Sequence, residues 1–318
     1  MNSSLQSLLT LEDFVRDVSC QEEVWSPVPQ AQLIRLFMAI RDAHTSTDTQ
    51  RKIGLLRSFK KVVSVQGSEF SNSGQKDAHE FLTSVLDQIR SLAPLLHNQA
   101  AGLGRKYRCP VKKHLLFKME TIRTCRSCGV QSRRTEEFTN LSVDLLPEGS
   151  VEQIIESYQR ETELEFKCEC GGNVSQVRTE FKTLPKVLIL HLKRFSCCAN
   201  NKLRKVRNPV ELLRDLVLPS KEEASCYSLV SMISHYGWLG AGHYICDSIS
   251  PDDDPDKPTD NWLTFDDTKV TETTGRSVCG RRQESAYILV YKRRVVKLDD
   301  QTTTLSSPET VEADVHLT

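Results

Sequence analysis

The sequence predicts an α+β protein in which a helical region comes first and a mostly antiparallel sheet follows. Two patterns lead to this prediction. The first third of the chain carries apolar residues at helical spacing, whereas from about Cys109 onward the apolar runs are short and rich in β-branched and aromatic residues. The first pattern is typical of amphipathic helices and the second of strands.

Two helices stand out in the first third. The stronger one has apolar side chains three or four positions apart, at Ala78, Phe81, Leu82, Val85, Leu86 and Ile89. An earlier stretch, Leu33–Ile40, shows the same period. The polar residues Ser71–Gly74 precede the stronger helix, and we expect them to offer its capping side chains.

Strands are predicted where apolar runs are short and continuous. The clearest run is Val187–Leu192, and three similar runs are Tyr227–Ile233, Tyr244–Cys246 and Ala286–Tyr291. Residues 249–261, rich in proline and aspartate, are predicted to form a solvated loop. The tail after Arg294 is rich in threonine, serine and acidic residues, and is predicted to be disordered.

Composition excludes several classes of protein. The chain has 318 residues, and its 42 lysines and arginines balance 42 aspartates and glutamates, so the bulk charge gives no argument for nucleic-acid or membrane binding. The longest apolar runs are far shorter than the roughly 18 residues of a membrane span. No secretory signal is evident, and the odd count of 11 cysteines fits a reducing compartment better than a disulfide framework.

Four cysteines form two local pairs. Cys125 and Cys128 make a C-x-x-C pair, and Cys168 and Cys170 make a C-x-C pair followed by two glycines. Two such pairs match a tetrahedral zinc ribbon, although the second is one residue tighter than usual. Four free cysteines are the alternative. A nucleic-acid-binding ribbon is a third possibility, against which the neutral charge argues.

A second unusual stretch surrounds His243, which follows Gly242 and precedes Tyr244. Asp266 and Asp267 come about twenty residues later. If the two segments are neighbouring strands, Asp266 can accept a hydrogen bond from one ring nitrogen of His243, and the other nitrogen is then free to act as a base. A structural histidine is the alternative for His243 taken alone.

Several segments, in chain order, resemble motifs of the ubiquitin-specific proteases. Gln75–Phe81 is similar to the Q-Q-D-A-x-E-F helix of that family, Phe138–Leu145 to its F-x-x-L-S-L-D-I segment, and Leu184–Phe195 to its L-P-x-x-L-x-x-H-L-K-R-F strand. Gly242–Tyr244 followed by Trp262–Asp267 resembles its histidine box. The two cysteine pairs lie where the family has its zinc ribbon.

The resemblance, over about residues 1–293, implies a papain-like fold shaped as an open hand, with a helical thumb and an antiparallel palm and fingers. It implies four regions: 1–104, the thumb without its nucleophile segment; 105–180, palm strands and zinc-ribbon fingers; 181–294, palm with the histidine–aspartate box; and 295–318, a disordered tail.

The chemistry implied by the resemblance is hydrolysis of the isopeptide bond after the C-terminal glycine of ubiquitin, by a Cys–His–Asp thiol mechanism. His243 would be the base, Asp266 its orienting carboxylate, and Asp267 a secondary contributor. A structural zinc ion would be held by the four cysteines, and no organic cofactor is implied.

The resemblance also implies a ubiquitin-binding site. Asp77 would receive the tail of ubiquitin, and Phe195 and Tyr244 would line the channel for that tail. The expected partners are ubiquitin and ubiquitinated proteins, with no nucleic acid and no membrane, and a monomer is expected. The expected location is the cytoplasm, the nucleus or both; the basic run Lys202–Arg207 is open to interpretation as a nuclear signal or as a solvated loop.

One departure from the family concerns the nucleophile. The family's cysteine box reads N-x-G-N-T-C-Y-M-N-S-x-L-Q, and this chain matches it only from Met1 onward. The nucleophilic cysteine would lie two positions before Met1. We therefore expect the chain to be an N-terminally truncated deubiquitinase sequence that is inactive as it stands; a non-catalytic ubiquitin-binding scaffold is the alternative.

Overall fold

A computed structural model describes residues 1–72, 74–197, 203–221, 224–238, 241–251 and 260–294. The predicted disordered tail 295–318, most of the predicted loop 249–261, and Lys202 of the basic run lie outside the described residues. None of the described helices is both long and apolar enough to cross a membrane.

The first part of the chain is helical, as the apolar spacing predicts. Its helices are α1 (Asn2–Leu9), α2 (Glu12–Ser19), α3 (Glu22–Trp25), α4 (Gln32–Asp42), α5 (Thr49–Gln66), α6 (Ala78–Ser91), α7 (Ala93–Gly102) and α8 (Pro110–His114). The two predicted helices correspond to α4 and α6. Helix α6 buries the side chains that carried the pattern, with Phe81, Leu82 and Val85 at most 3% exposed.

The capping residue of α6 differs from the expectation. Ser71–Gly74 lie too early, and the N-cap is Asp77, whose Oδ1 accepts hydrogen bonds from the backbone N–H groups of His79 and Glu80. A carboxylate here satisfies donors that have no partner within the helix, and it also interacts favourably with the positive end of the helix dipole.

The second part of the chain is built on strands. These are β1 (Phe117–Cys125), β2 (Gln131–Phe138), β3 (Leu141–Val143), β4 (Thr162–Glu165), β5 (Val174–Thr183), β6 (Val187–Leu192), β7 (Phe195–Cys197), β8 (Leu203–Lys205), β9 (Asp215–Pro219), β10 (Ala224–Trp238), β11 (Ala241–Ile249), β12 (Asn261–Asp266), β13 (Lys269–Thr274) and β14 (Ala286–Arg293). The four apolar runs predicted as strands fall in β6, β10, β11 and β14.

Three sheets organise these strands. The largest has the order β13-β12-β11-β10-β14-β6-β3, with β9 also paired to β10. A four-stranded sheet has the order β2-β1-β5-β4, and β7 pairs with β8. Every pairing among the described strands is antiparallel except that of β3 with β6. The α+β prediction is therefore confirmed.

Two later helices interrupt the strands and were not anticipated. They are α9 (Val151–Gln159) and α10 (Gly275–Arg281). Helix α9 begins with a capping box in which Ser150 and Gln153 exchange hydrogen bonds, and it buries Val151, Ile154 and Ile155. The S-x-x-Q pattern and the three-residue apolar spacing are the signals that identify it in the sequence.

The central strands of the large sheet are buried on both faces. Ile189, Ile233 and Ile288 pack with the helices of the first part, whereas the alternating positions Leu190 and Leu289 pack in a second core together with α9 and α10 residues. Since successive side chains of a strand point to opposite faces, a strand covered on both sides reads as a continuous apolar run. This explains the composition of β6.

Arg194, in the loop before β7, joins two other segments of this second half, one after β8 and one that enters β14. Its side chain is fully buried and donates to the backbone carbonyl groups of Ala286, Val206, Asn208 and Gln283. Burial lowers the pKa of Arg194 to about 10, so the guanidinium remains charged at neutral pH. It thereby links the loop before β7 to the segment that enters β14.

We expect Arg194→Met to lower the free energy of unfolding by roughly 3 kcal/mol or more, because the substitution leaves buried carbonyl groups without donors. Arg204→Met is the matched control, since the side chain of Arg204 is exposed; its effect is expected to stay within about 0.5 kcal/mol. Urea denaturation measures both. A loss below about 1 kcal/mol for Arg194→Met would contradict this role.

Candidate active site and metal cluster

His243 and Asp266 meet where β11 and β12 stop pairing. The ladder between these strands ends at the pair Cys246–Phe265, so Asp266 comes one residue later and His243 three residues earlier. His243 Nε2 lies 2.6 Å from Asp266 Oδ1, and each side chain is about half exposed. The contact assigns the proton to Nε2. Nδ1 makes no hydrogen bond with any described residue, so its lone pair is available as a base.

Asp267 lies beside this pair in a strained backbone conformation. Its φ is 51°, in the left-handed region that aspartate tolerates better than most residues. Its Oδ1 accepts a hydrogen bond of 3.0 Å from Asn2 Nδ2 at the start of α1. Ligand atoms of His243, Asp266 and Asp267 all lie within 4.8 Å of one another. The start of α1 is thus placed directly at the candidate base.

Asp77 joins the helical part of the chain to the large sheet. While its Oδ1 caps α6, its Oδ2 accepts hydrogen bonds from Tyr244 Oη at 3.1 Å and Tyr287 Oη at 2.5 Å. Burial raises the pKa of both tyrosines, and the Asp77 charge raises it further, so both hydroxyls stay protonated and donate. These four contacts use the four lone-pair sites of a carboxylate.

Phe195 and Tyr244 are half-buried and belong to an aromatic group that contacts Asp77 through Tyr244 and Tyr287. The ring of Phe195 lies 5.3 Å from His235 and 5.9 Å from Tyr287, and the ring of Tyr244 lies 4.6 Å from His235. The structure thus brings together the three residues Asp77, Phe195 and Tyr244 that the resemblance assigns to the tail channel. Tyr287 and His235 complete the group, and the sequence gives no pattern that singles them out.

His235 is buried and packs against the glycine that precedes His243. It is 3% exposed, and burial lowers its pKa to about 4, so it is neutral at physiological pH. A Cβ atom on Gly242 would lie 1.9 Å from His235 Nε2. The backbone of β11 can approach the imidazole this closely only because residue 242 is glycine.

The described cysteines do not supply a nucleophile for His243. Cys246 is on the same strand, but it is an odd number of residues away, so its side chain points to the opposite face. It is completely buried, and burial raises the pKa of its thiol to about 12. No cysteine among the described residues forms a hydrogen bond with His243.

The four paired cysteines converge at one end of the four-stranded sheet. Sγ of Cys125 lies 3.7 Å from that of Cys170, and Sγ of Cys128 lies 3.8 Å from that of Cys168. All four sulfur atoms lie within 4.8 Å of one another. A tetrahedral ion with metal–sulfur bonds of about 2.3 Å requires sulfur atoms about 3.8 Å apart, so the cluster fits a structural metal.

Glycine turns make the tight second pair compatible with the cluster. Gly129 and Gly171 have φ values of 73° and 89°, and a Cβ atom on Gly172 would lie 2.5 Å from Ser127 Oγ. The backbone N–H of Cys128 donates to Cys125, which lowers the pKa of that thiol to about 6. A thiolate is the form that binds metal.

Comparisons with known proteins agree with this geometry. A family model described as ubiquitin carboxyl-terminal hydrolase matches residues 1–291. Ubiquitin carboxyl-terminal hydrolase 37 from Homo sapiens is 35% identical over 216 residues, which cover 62% of this chain and 22% of that protein. Ubiquitin carboxyl-terminal hydrolase 29 from Mus musculus is 30% identical over 236 residues, covering 69% of this chain and 27% of that protein. The chain thus spans about a quarter of the length of these relatives.

Solved structures show the same fold. The SAGA Ubp8/Sgf11/Sus1/Sgf73 DUB module bound to ubiquitin aldehyde contains a chain with a TM-score of 0.77 and 22% identity, matched over 93% of this chain and 67% of that one. A second structure of the SAGA Ubp8/Sgf11/Sus1/Sgf73 DUB module gives a TM-score of 0.69 at 21% identity, over 93% of this chain and 65% of that one. Together with the match over residues 1–291, these findings show that the chain belongs to the ubiquitin carboxyl-terminal hydrolase family.

Proposed function

We propose that this chain supplies the base, its orienting carboxylate and the ubiquitin-tail channel of a cysteine-type deubiquitinase. The reaction is hydrolysis of the isopeptide bond that follows the C-terminal glycine of ubiquitin. The observation that carries this proposal is the contact between His243 Nε2 and Asp266, which leaves Nδ1 free on an exposed ring.

The chemistry follows from the protonation state of that ring. Nδ1 removes the proton of a cysteine thiol, and the thiolate attacks the carbonyl carbon of the last glycine of ubiquitin. The imidazolium then gives its proton to the leaving lysine amine as the carbon–nitrogen bond breaks. Water, activated by the same nitrogen, hydrolyses the thioester. Asp266 stabilises the imidazolium and keeps the ring oriented through both steps.

The start of α1 marks the place for the thiol. Asn2 contacts Asp267, and Ser3 Oγ donates to the carbonyl oxygen of Tyr244, so the N-terminal end of this helix faces the base. A thiol that precedes α1 would lie at the positive end of the helix dipole, which favours the thiolate. In a chain extended before Met1 with the family's cysteine box, the thiol would therefore lie beside the base.

We expect the 318-residue chain to release no fluorophore from a ubiquitin C-terminal fluorogenic amide above the level of its His243→Ala variant, because it lacks the thiol. A chain extended before Met1 with the family's N-T-C-Y segment should hydrolyse the substrate. In the extended chain, His243→Ala should lower the rate by about a hundredfold or more. Hydrolysis by the unextended chain, or an extended chain that His243→Ala leaves unchanged, would refute the assignment.

Ubiquitin recognition is proposed for the surface around Asp77. Support comes from the clustering of Asp77, Phe195 and Tyr244, and from a structural neighbour that is bound to ubiquitin aldehyde. Since all four lone-pair sites of Asp77 are occupied, its carboxylate acts on the basic tail through its charge. Ubiquitinated proteins are the proposed substrates. A monomeric state and residence in the cytoplasm or nucleus stay predictions.

Two substitutions at Asp77 separate charge from helix capping. Asp77→Asn keeps an oxygen for the cap but removes the charge and the acceptor of the two tyrosine hydroxyls, and we expect it to weaken binding of monoubiquitin by about tenfold. Asp77→Ala should weaken binding and also lower the free energy of unfolding by about 1 kcal/mol or more through loss of the cap. Glu80→Ala, at an exposed position of α6, is the control. Titration calorimetry and urea denaturation measure the two effects. Unchanged affinity in Asp77→Asn would exclude a role for the charge.

Zn²⁺ is the ion we propose for the cysteine cluster, because four thiolates at these separations suit its tetrahedral coordination. The metal would cross-link the turn after β1 to the turn before β5, two segments of the four-stranded sheet.

We expect one zinc ion per chain in protein purified without added metal, measured by elemental mass spectrometry. Cys170→Ser should reduce the zinc content and, because binding of a structural zinc contributes to folding, lower the protection of β1 and β5 amides from hydrogen exchange. Cys20→Ser, at an exposed cysteine outside the cluster, is the control. Zinc content near zero in a normally folded wild type would show that the cluster is not a zinc site.

A further inference from the structure

The strand that carries His243 has an incomplete edge. Strand β11 pairs with β10 over Ala241–Ser248, but it pairs with β12 only from Cys246 to Ile249. Residues 242–245 therefore lack a neighbouring strand on the β12 side among the described residues. Backbone groups on such an edge need other partners, because an unpaired N–H or C=O group in a partly buried place is unfavourable.

Two side chains from the helical part take the place of the absent strand. The backbone N–H of Gly242 donates to Gln75 Oε1 at 2.6 Å, and the carbonyl oxygen of Tyr244 accepts from Ser3 Oγ at 2.9 Å. Residues two apart in a strand direct their backbone groups to the same edge. Both contacts therefore lie on the edge that β12 leaves open, one on each side of His243.

Gly242 is constrained from a second direction as well. The imidazole of His235 lies so close that a Cβ atom at position 242 would be 1.9 Å from its Nε2. The His235 ring thus limits movement of Gly242 on the side of β10. Gln75 holds the N–H group of Gly242 toward the helical part of the chain. Residue 242 is the immediate neighbour of His243, so its placement sets the direction in which the His243 side chain leaves the strand.

We propose that Gln75 is a positioning residue for His243, acting through Gly242. Its amide oxygen holds the backbone before His243 in strand geometry, and this keeps Nε2 in reach of Asp266 and Nδ1 free. The catalytic meaning of this role rests on the proposed function. The contact itself does not, so it is testable without hydrolysis.

The test is nuclear magnetic resonance of the 318-residue chain and its Gln75→Met variant. Methionine has a similar length but no strong acceptor, so the Gly242 amide should exchange with solvent about fivefold faster, the factor that one net hydrogen bond supplies. The ¹⁵N shifts of the His243 ring should also move toward each other, because the Nε2–H tautomer is less favoured when Asp266 is held less well.

Gln75→Glu keeps an acceptor oxygen and should restore both the slow exchange of Gly242 and the ring shifts of His243. Lys76→Met, at the neighbouring position, should leave both unchanged. The side chain of Gln75 is exposed, so global stability to urea should be the same in all variants. Gly242 exchange and His243 shifts that Gln75→Met does not alter, or that Gln75→Glu does not restore, would overturn the proposal. Neither result depends on whether the extended chain hydrolyses ubiquitin substrates.

Discussion

The carboxylate of Asp77 is the contact on which the site depends, because it belongs to the helical part and the sheet at once. One oxygen accepts hydrogen bonds from two backbone N–H groups at the start of α6. The other accepts hydrogen bonds from the hydroxyls of Tyr244 in β11 and Tyr287 in β14. A single carboxylate thereby fixes the distance between the helix and the two strands that flank β10. Partial burial of these hydrogen bonds strengthens each contact, because the local dielectric is lower than that of water.

The position of His243 depends on these contacts between the helical part and the sheet. The residue after it, Tyr244, is held by Asp77 and Ser3, and the residue before it, Gly242, contacts Gln75 and His235. The imidazole itself is about half exposed. Among the described residues, its one hydrogen-bond partner is Asp266. Rigid backbone on both sides combined with an accessible ring suits a base that must meet a substrate without losing its orientation.

The cysteine cluster is held by different interactions from those of the active site. Its four sulfur atoms come from two turns of a sheet whose outer strand β2 is almost entirely exposed, so apolar burial contributes little there. Metal binding provides cross-links that a small hydrophobic core cannot. The cysteine cluster and the active site therefore depend on separate interactions, and we expect each to tolerate changes in the other.

The sequence by itself determined the fold class and the family. Helical spacing predicted α4 and α6, and continuous apolar runs predicted β6 and β14, because both patterns report local periodicity and burial. Ordered motifs such as Leu184–Phe195 indicated the family, which the match over residues 1–291 confirms. Short helices with a single capping box, such as α9, were missed because one or two turns give little periodic signal.

Only the tertiary structure decided how the site is held. Gln75 and Gly242 are 167 residues apart in the chain, and Asp77 and Tyr287 are 210 apart. Their contacts arise because the N-terminal end of α6 and the segment before it meet the large sheet at β11 and β14, and a one-dimensional pattern carries no record of such packing. For the same reason, the sequence did not predict the role of His235, which depends on the closeness of its ring to Gly242. Periodicity reveals which face of an element is buried; which side chains meet there is set by the packing of elements distant in sequence.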